Sequence, residues 1–152
     1  MDGPVTYRDP QGQLRPGRAR VIDFQNATVN GGPNNRFLAV RELNIQGLRA
    51  PAYNRRADLV CFVNGLPLGL IECKSPTLGD AWKHEALDQF SRYQEMEDRY
   101  RELGTPKLFE TIQVLVATCG QAAVYGTVLT PHRFFVEWKT PYPRVWAAPA
   151  RA

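Results

Sequence analysis

Residues 57–74 read ADLVCFVNGLPLGLIECK, from Ala57 to Lys74. Two apolar runs, Leu59–Val63 and Leu68–Ile71, flank Asn64-Gly65, a dipeptide whose tolerance of positive φ makes it a strong hairpin signal. Asp58, Glu72 and Lys74 interrupt that apolar pattern. A charged group buried in a strand is costly unless it pairs with another charge or a cation. Such a conflict between pattern and composition marks a functional site more often than a structural one.

Register decides what these residues can do together. Glu72 and Lys74 are two apart on a strand, so their side chains leave the same face. A strict two-residue turn would set Asp58 opposite Ile71, on the wrong face. One bulge, or an odd-length loop, shifts the pairing and sets Asp58 opposite Glu72. Pro67 lacks a ladder donor and Gly69 tolerates unusual backbone, so the expectation is a bulge near them.

Outward from this hairpin, Phe37–Ile45 reads as a strand before it. After it, Asp80 is an N-cap candidate for a long helix running to about Leu103, with Gly104 and Pro106 as its stop. Thr111–Thr118, Ala122–Leu129 and Phe134–Lys139 are three further strands, with turns at Cys119-Gly120 and Thr130-Pro131. The order predicts an α/β sheet covered by helix on at least one face, with residues 21–140 as one domain. Residues 1–20 are expected as a basic loop or arm in which Arg8, Arg15, Arg18 and Arg20 are candidate phosphate contacts. Residues 141–152 are expected as an irregular Pro/Ala-rich tail.

With 152 residues, 43% hydrophobic and 22% charged, the chain is sized and composed as one globular domain. No apolar run approaches the roughly 18 residues of a membrane helix, and the first residues lack a signal peptide's basic and apolar segments. Three cysteines and two histidines with no CxxC pair argue against structural zinc and for a reducing, cytoplasmic setting. The net charge of +4 favours a polyanionic partner, nucleic acid above all, though so modest an excess narrows little by itself.

Two carboxylates side by side with an ammonium group in reach form a chemical unit. Like charges so close do not both stay ionised without a cation between them. Mg²⁺ is commonly held by one or two carboxylates, waters and phosphate oxygens, and it offsets charge building on a phosphate. Lys74 would orient the attacking water and offset further charge. The Cys73 side chain leaves the opposite face and is read as packing, with its backbone carbonyl available to a cation. A second E-x-K, Glu137-Trp138-Lys139, has no preceding aspartate within reach and no following helix, and is read as a surface pair.

The helix carries its own signal. Trp82, Ala86, Phe90, Met96, Tyr100 and Leu103 form one apolar stripe at 100° per residue, with Gln89 and Tyr93, spaced i,i+4, inside it. A glutamine on a buried face needs partners, which directs Gln89 toward the polar site at the preceding strand end. His84 falls on the polar face and is read as solvated.

Asp58, Glu72-Cys73-Lys74 and Gln89-x-x-x-Tyr93 together resemble the PD-(D/E)XK nuclease pattern with the QxxxY motif of its RecB-like branch. The stretches VIDFQNATVNGGPNNRFLAVRELNIQG, RRADLVCFVNGLPLGLIECKSP and LFETIQVLVATCGQAAVYGTV are similar to the N-terminal nuclease region of type I restriction enzyme R (motor) subunits. The resemblance spans about residues 5–140. It implies a restriction-endonuclease-like fold with a mixed β-sheet flanked by helices, Asp58, Glu72 and Lys74 as catalytic residues, and Asp58, Glu72 and the Cys73 carbonyl as Mg²⁺ ligands, with Mn²⁺ as a substitute. Gln89 and Tyr93 become an auxiliary motif, and Arg55, Arg56, Lys83 and Arg92 candidate contacts to double-stranded DNA. The implied partners are a translocase region plus specificity and methyltransferase subunits. Ala57 stands where the motif usually has proline, no helix is expected before Val21, and no phosphate-loop motif for ATP is present. The alternatives are a non-catalytic DNA-binding or assembly module of this fold, and a repair or branched-DNA nuclease of the same superfamily.

Overall fold

The computed structural model describes residues 2–25, 28–29, 32–46 and 54–139. In chain order the elements are β1 (Asp2–Arg8), β2 (Leu14–Arg20), β3 (Thr28–Val29), β4 (Gly32–Pro33), β5 (Phe37–Ile45), β6 (Arg55–Val63), β7 (Leu66–Cys73), α1 (Ala81–Gln94), β8 (Val114–Thr118), β9 (Ala123–Gly126) and β10 (Val136–Glu137), with short 3-10 turns between. β10-β9-β8-β7-β6-β5 form one six-stranded sheet, antiparallel throughout except for the β7–β8 pair. That parallel pair needs a crossover, and α1 supplies it. The predicted order of three strands, helix, three strands is therefore observed.

β6 and β7 meet at Asn64-Gly65, where Val63 pairs with Leu66. Both turn residues have positive φ, 52° and 86°, the conformation a tight two-residue hairpin requires. Asn64 also serves as a clip. Its side chain accepts from the Arg36 N–H at 2.7 Å and donates to the Val21 carbonyl at 2.6 Å. The expected bulge is present: Phe62 pairs with Pro67 and Cys61 with Gly69, so Leu68 is the extra residue. Its carbonyl is taken by the Gln113 N–H at 2.8 Å, and that of Pro67 by the Thr111 hydroxyl at 2.8 Å.

α1 is shorter than its sequence pattern. It stops at Gln94, and Glu95 adopts the left-handed conformation with φ 55°. The Glu95 N–H returns to the Arg92 carbonyl and the Met96 N–H to the Ser91 carbonyl, closing a Schellman cap. Met96, Tyr100 and Leu103 therefore lie beyond the helix and do not continue its stripe. Gly104 acts on this end from a distance, because the chain doubles back. Its N–H donates to the Glu95 carboxylate at 2.9 Å, and the Thr105 N–H to the Tyr93 carbonyl at 2.9 Å. Asp80 occupies the N-cap position without a side-chain capping bond.

One face of the sheet packs under α1. Val60, Leu70, Leu115, Ala117 and Val124 meet Ala86, Leu87 and Phe90 of the helix, with Phe109, Ile112 and Phe135 closing the sides. The Phe90 and Phe135 rings stack with centroids 6.0 Å apart. Each fully buried aliphatic side chain here contributes about 1.5–3 kcal/mol. The helix expected on at least one face of the sheet is present, and among the described residues it is this one α-helix.

Residues 1–20, expected as a loop or arm, hold a hairpin instead: β1 pairs with β2 from Asp2↔Arg20 to Arg8↔Leu14. Proline and glycine inside both strands hid it from the sequence pattern. Gly17 leaves room for the Tyr7 ring, which lies 3.0 Å from where a Cβ would stand. The irregular tail expected for residues 141–152 lies outside the described residues.

Candidate active site

The bulge at Leu68 phases β7 so that Asp58 and Glu72 leave the α1 face from adjacent strands. Asp58 Oδ2 accepts from the Cys73 N–H at 2.8 Å, which pins the aspartate against the end of β7. Glu72 is fully buried, and neither of its carboxylate oxygens has a hydrogen-bond donor. Lys74 Nζ stands 3.8 Å from Glu72 Oε2, beyond hydrogen-bond reach. The Lys74 backbone is fixed by its N–H donating to the Thr118 carbonyl at 2.8 Å.

Lys74 Nζ donates instead to Gln89 Oε1. Gln89 Nε2 donates to Tyr93 Oη at 2.6 Å, and Tyr93 donates to the Arg56 carbonyl at 2.9 Å. This relay runs from the end of β7, along one turn of α1, to β6 two residues before Asp58. It ties the three elements that carry the polar residues into one frame. Gln89 itself is only half-buried; the fully covered helix positions are Ala86, Leu87, Phe90, Ser91, Tyr93 and Gln94.

Burial pushes the Glu72 carboxyl up to about 8, helped by the charge of Asp58 and opposed by Lys74. Two carboxylates offer each other no donor, so they share a hydrogen bond only when one carries a proton. The Tyr93 hydroxyl is raised to about 12 by burial first and the Glu72 charge second. The Cys73 thiol is also pushed up, by burial and then by Asp58. Its residue is exposed, so the packing role expected for it is corrected.

Among the described residues no three His, Cys, Asp or Glu side chains are gathered closely enough to hold a metal ion by themselves. The pair Asp58 and Glu72 does fit a hard divalent cation of the Mg²⁺ kind, which takes few carboxylates and keeps its waters. The two donor-less oxygens of a buried glutamate are the structural sign of that fit.

The basic candidates differ in surroundings. Arg56 Nη1 lies 3.9 Å from Glu42 Oε1 with its side chain largely exposed. The Arg92 guanidinium sits 6.0 Å from the centre of the Tyr93 ring, its Nε buried without a partner. Lys83 is half-buried, as is Arg55, which is engaged with neighbouring groups. Glu137 and Lys139 of the second E-x-K are exposed, as read from sequence, beside a surface cavity of about 570 Å³ lined by Val114, Tyr125, Val136 and Trp138.

One cluster escaped the sequence reading. His84 Nδ1 lies 3.2 Å from Asp88 Oδ2, and His132 Nε2 lies 2.8 Å from Ser91 Oγ and 4.0 Å from Asp88 Oδ1. Only the i,i+4 spacing of His84 and Asp88 was visible in the sequence; the partner from residue 132 arrives through tertiary packing.

The fold and site define an α/β protein with two carboxylates and a lysine at the end of a parallel strand pair. Residues 1–134 match the family of the type I restriction enzyme R protein N terminus, and the chain belongs to that family. It is 31% identical over 138 residues to the type I restriction enzyme HindI endonuclease subunit of Haemophilus influenzae, covering 91% of this chain and 12% of that protein. It is 30% identical over 118 residues to a provisionally named type I restriction enzyme MjaIXP endonuclease subunit of Methanocaldococcus jannaschii, covering 77% of this chain and 10% of that protein. The chain thus spans about a tenth of the length of these curated relatives. No described helix is long and apolar enough to cross a membrane.

Proposed function

We propose that this chain is a Mg²⁺-dependent DNA endonuclease domain of restriction-endonuclease-like fold, working within a type I restriction system. The observation that carries this is Glu72, wholly buried with two donor-less oxygens, beside Asp58 and within 4 Å of Lys74 at 3.8 Å. Such a carboxylate is expensive to keep ionised without a cation. Its relatives' names as endonuclease subunits support the same reading.

In this reading Asp58, Glu72 and the Cys73 carbonyl hold the cation, which when bound supplies positive charge to the phosphate. Lys74, steered by Gln89, orients the attacking water and balances charge as it builds. Water gives up a proton as its oxygen bonds to phosphorus, the bridging P–O bond breaks, and the departing oxygen takes up a proton, leaving a phosphomonoester and an alcohol. Gln89 and Tyr93 act inward through their relay. Arg55, Arg56, Lys83 and Arg92 are the proposed contacts to double-stranded DNA. A translocase region and the specificity and methyltransferase subunits are the proposed partners, in the cytoplasm.

The test is plasmid nicking with Mg²⁺ or Mn²⁺ by the chain, by Asp58→Ala and by Lys74→Ala. The expected result is nicking by the unsubstituted chain and its loss in both variants. Equal nicking by all three, or none by the unsubstituted chain within a reconstituted complex, removes the catalytic assignment.

A further inference from the structure

We propose that the β1–β2 hairpin is a duplex-binding arm that grips the phosphate backbone through Arg8 and Arg18. The proposal rests on the deoxyribonuclease reading and extends it to a surface remote in sequence from the catalytic strands.

Three observations carry it. The first is that the described side chains of the ribbon are bare on both sides. Alternation places Pro4, Thr6, Arg8, Leu14, Pro16 and Arg18 on one face, and all six are exposed. On the other face Val5 and Tyr7 remain 39% and 52% exposed. An isolated two-stranded hairpin is marginal in water, so a ribbon with no packed face calls for a partner.

The second is the charge. Residues 1–20 contain four arginines against two aspartates. Asp9 is consumed internally: it accepts from the Gln11 and Gln13 N–H groups at 3.0 and 2.8 Å and from Arg15 Nε at 3.0 Å. The Arg15 guanidinium holds the Asp9 carboxyl below its ordinary range. Arg15 is thereby a brace for the turn. Arg8 gives one N–H to the Gly12 carbonyl at 2.9 Å and keeps the others. Among the described side chains, the arginines not committed to bracing the turn are Arg8 and Arg18, on one face.

The third is spacing. Arg18 pairs with Pro4, four residues along β1 from Arg8. At about 3.4 Å per residue the two side chains leave the ribbon about 14 Å apart. Measured along the helix axis, that is the rise of about four base pairs at 3.4 Å each. A two-stranded ribbon also has the width that the major groove, about 12 Å across, admits. The turn is preorganised by Asp9, so little ordering is needed on binding.

The experiment is fluorescence anisotropy of the full chain on a labelled duplex oligonucleotide, with Ca²⁺ replacing Mg²⁺ to prevent cutting, across a range of salt concentrations. Compared are the unsubstituted chain, Arg8→Ala/Arg18→Ala, and Arg8→Lys/Arg18→Lys. Each lost phosphate contact should lower the slope of log affinity against log salt by about 0.9, so the alanine pair is expected to lose about 2 and the lysine pair to regain it. Circular dichroism should report the same fold for all three. An unchanged slope in the alanine pair overturns the arm alone and turns the hairpin into a protein-facing surface. Absence of duplex binding by the unsubstituted chain overturns both the arm and the deoxyribonuclease reading.

Discussion

Replacing Glu72 by glutamine should make the metal-free protein more stable, and increasingly so as pH rises. Glu72 has a carboxyl raised from 4.5 to about 8 in the folded chain, chiefly by burial. Between those values the folded state holds a proton that the unfolded state has released. Stability is therefore fully present below 4.5, declines as pH rises, and levels off above about 8. The decline is about 1.4 kcal/mol per pH unit for one proton, an upper limit on the order of 5 kcal/mol across the window. Glutamine fills the same volume and does not ionise, so Glu72→Gln removes that slope. The assay is urea denaturation at several pH values in EDTA. Both proteins should be similar near pH 5, with the variant ahead by several kcal/mol at pH 8. Mg²⁺ should then recover stability in the unsubstituted chain alone, by about 2.7 kcal/mol at a hundredfold excess over its dissociation constant. Parallel pH profiles with and without the substitution would refute the reasoning, because a buried glutamate without a counter-cation would then carry no penalty.

Other changes probe the frame around the site. Gly104→Ala places a Cβ 2.5 Å from the Tyr93 carbonyl and 2.7 Å from the Arg92 carbonyl, both backbone atoms that cannot swing away. The expected loss is about 3 kcal/mol by urea denaturation, and it should be larger than for Gly120→Ala, where nothing lies within 4 Å and the cost is only that of placing a side chain at φ 82°. Tyr93→Phe removes the donor to the Arg56 carbonyl and the acceptor for Gln89, a loss of about 1–2 kcal/mol. In nicking assays it should lower kcat and leave duplex affinity unchanged; the reverse pattern would make Tyr93 a DNA contact.

What the sequence made legible was local. β5 occupies the predicted residues 37–45 because its neighbours supply the breaks at both ends, and Asn64-Gly65 admits few conformations other than the hairpin observed. The bulge was readable because Asp58 and Glu72 only meet if one residue is absorbed between the turn and the acid. Periodicity failed at the helix end. Nothing apolar changes after Gln94, and Glu95, a good helix former, takes the left-handed conformation. What turns the chain there is the returning segment at Gly104 and Thr105, bonded to Glu95 and Tyr93. The β1–β2 hairpin was hidden for the opposite reason. Its prolines and glycines read as loop, and only the Asp9 turn and the Tyr7–Gly17 fit make the pairing sensible. Lys74 and Gln89 were connected by strand feeding helix, but the final link to the Arg56 carbonyl was not predictable, since a backbone acceptor leaves no mark in composition.

The residue absorbed at Leu68 has a consequence for how this architecture tolerates change. Because Pro67 faces Phe62 and Gly69 faces Cys61, a chain shortened by that one leucine would zip straight through and still seat its two acids side by side. Losing a second residue between the turn and Glu72 would instead set the glutamate opposite Leu59 and turn it to the outer surface. The hairpin thus holds one spare residue in reserve and no second, so it can give up one link of chain and still keep its acids together.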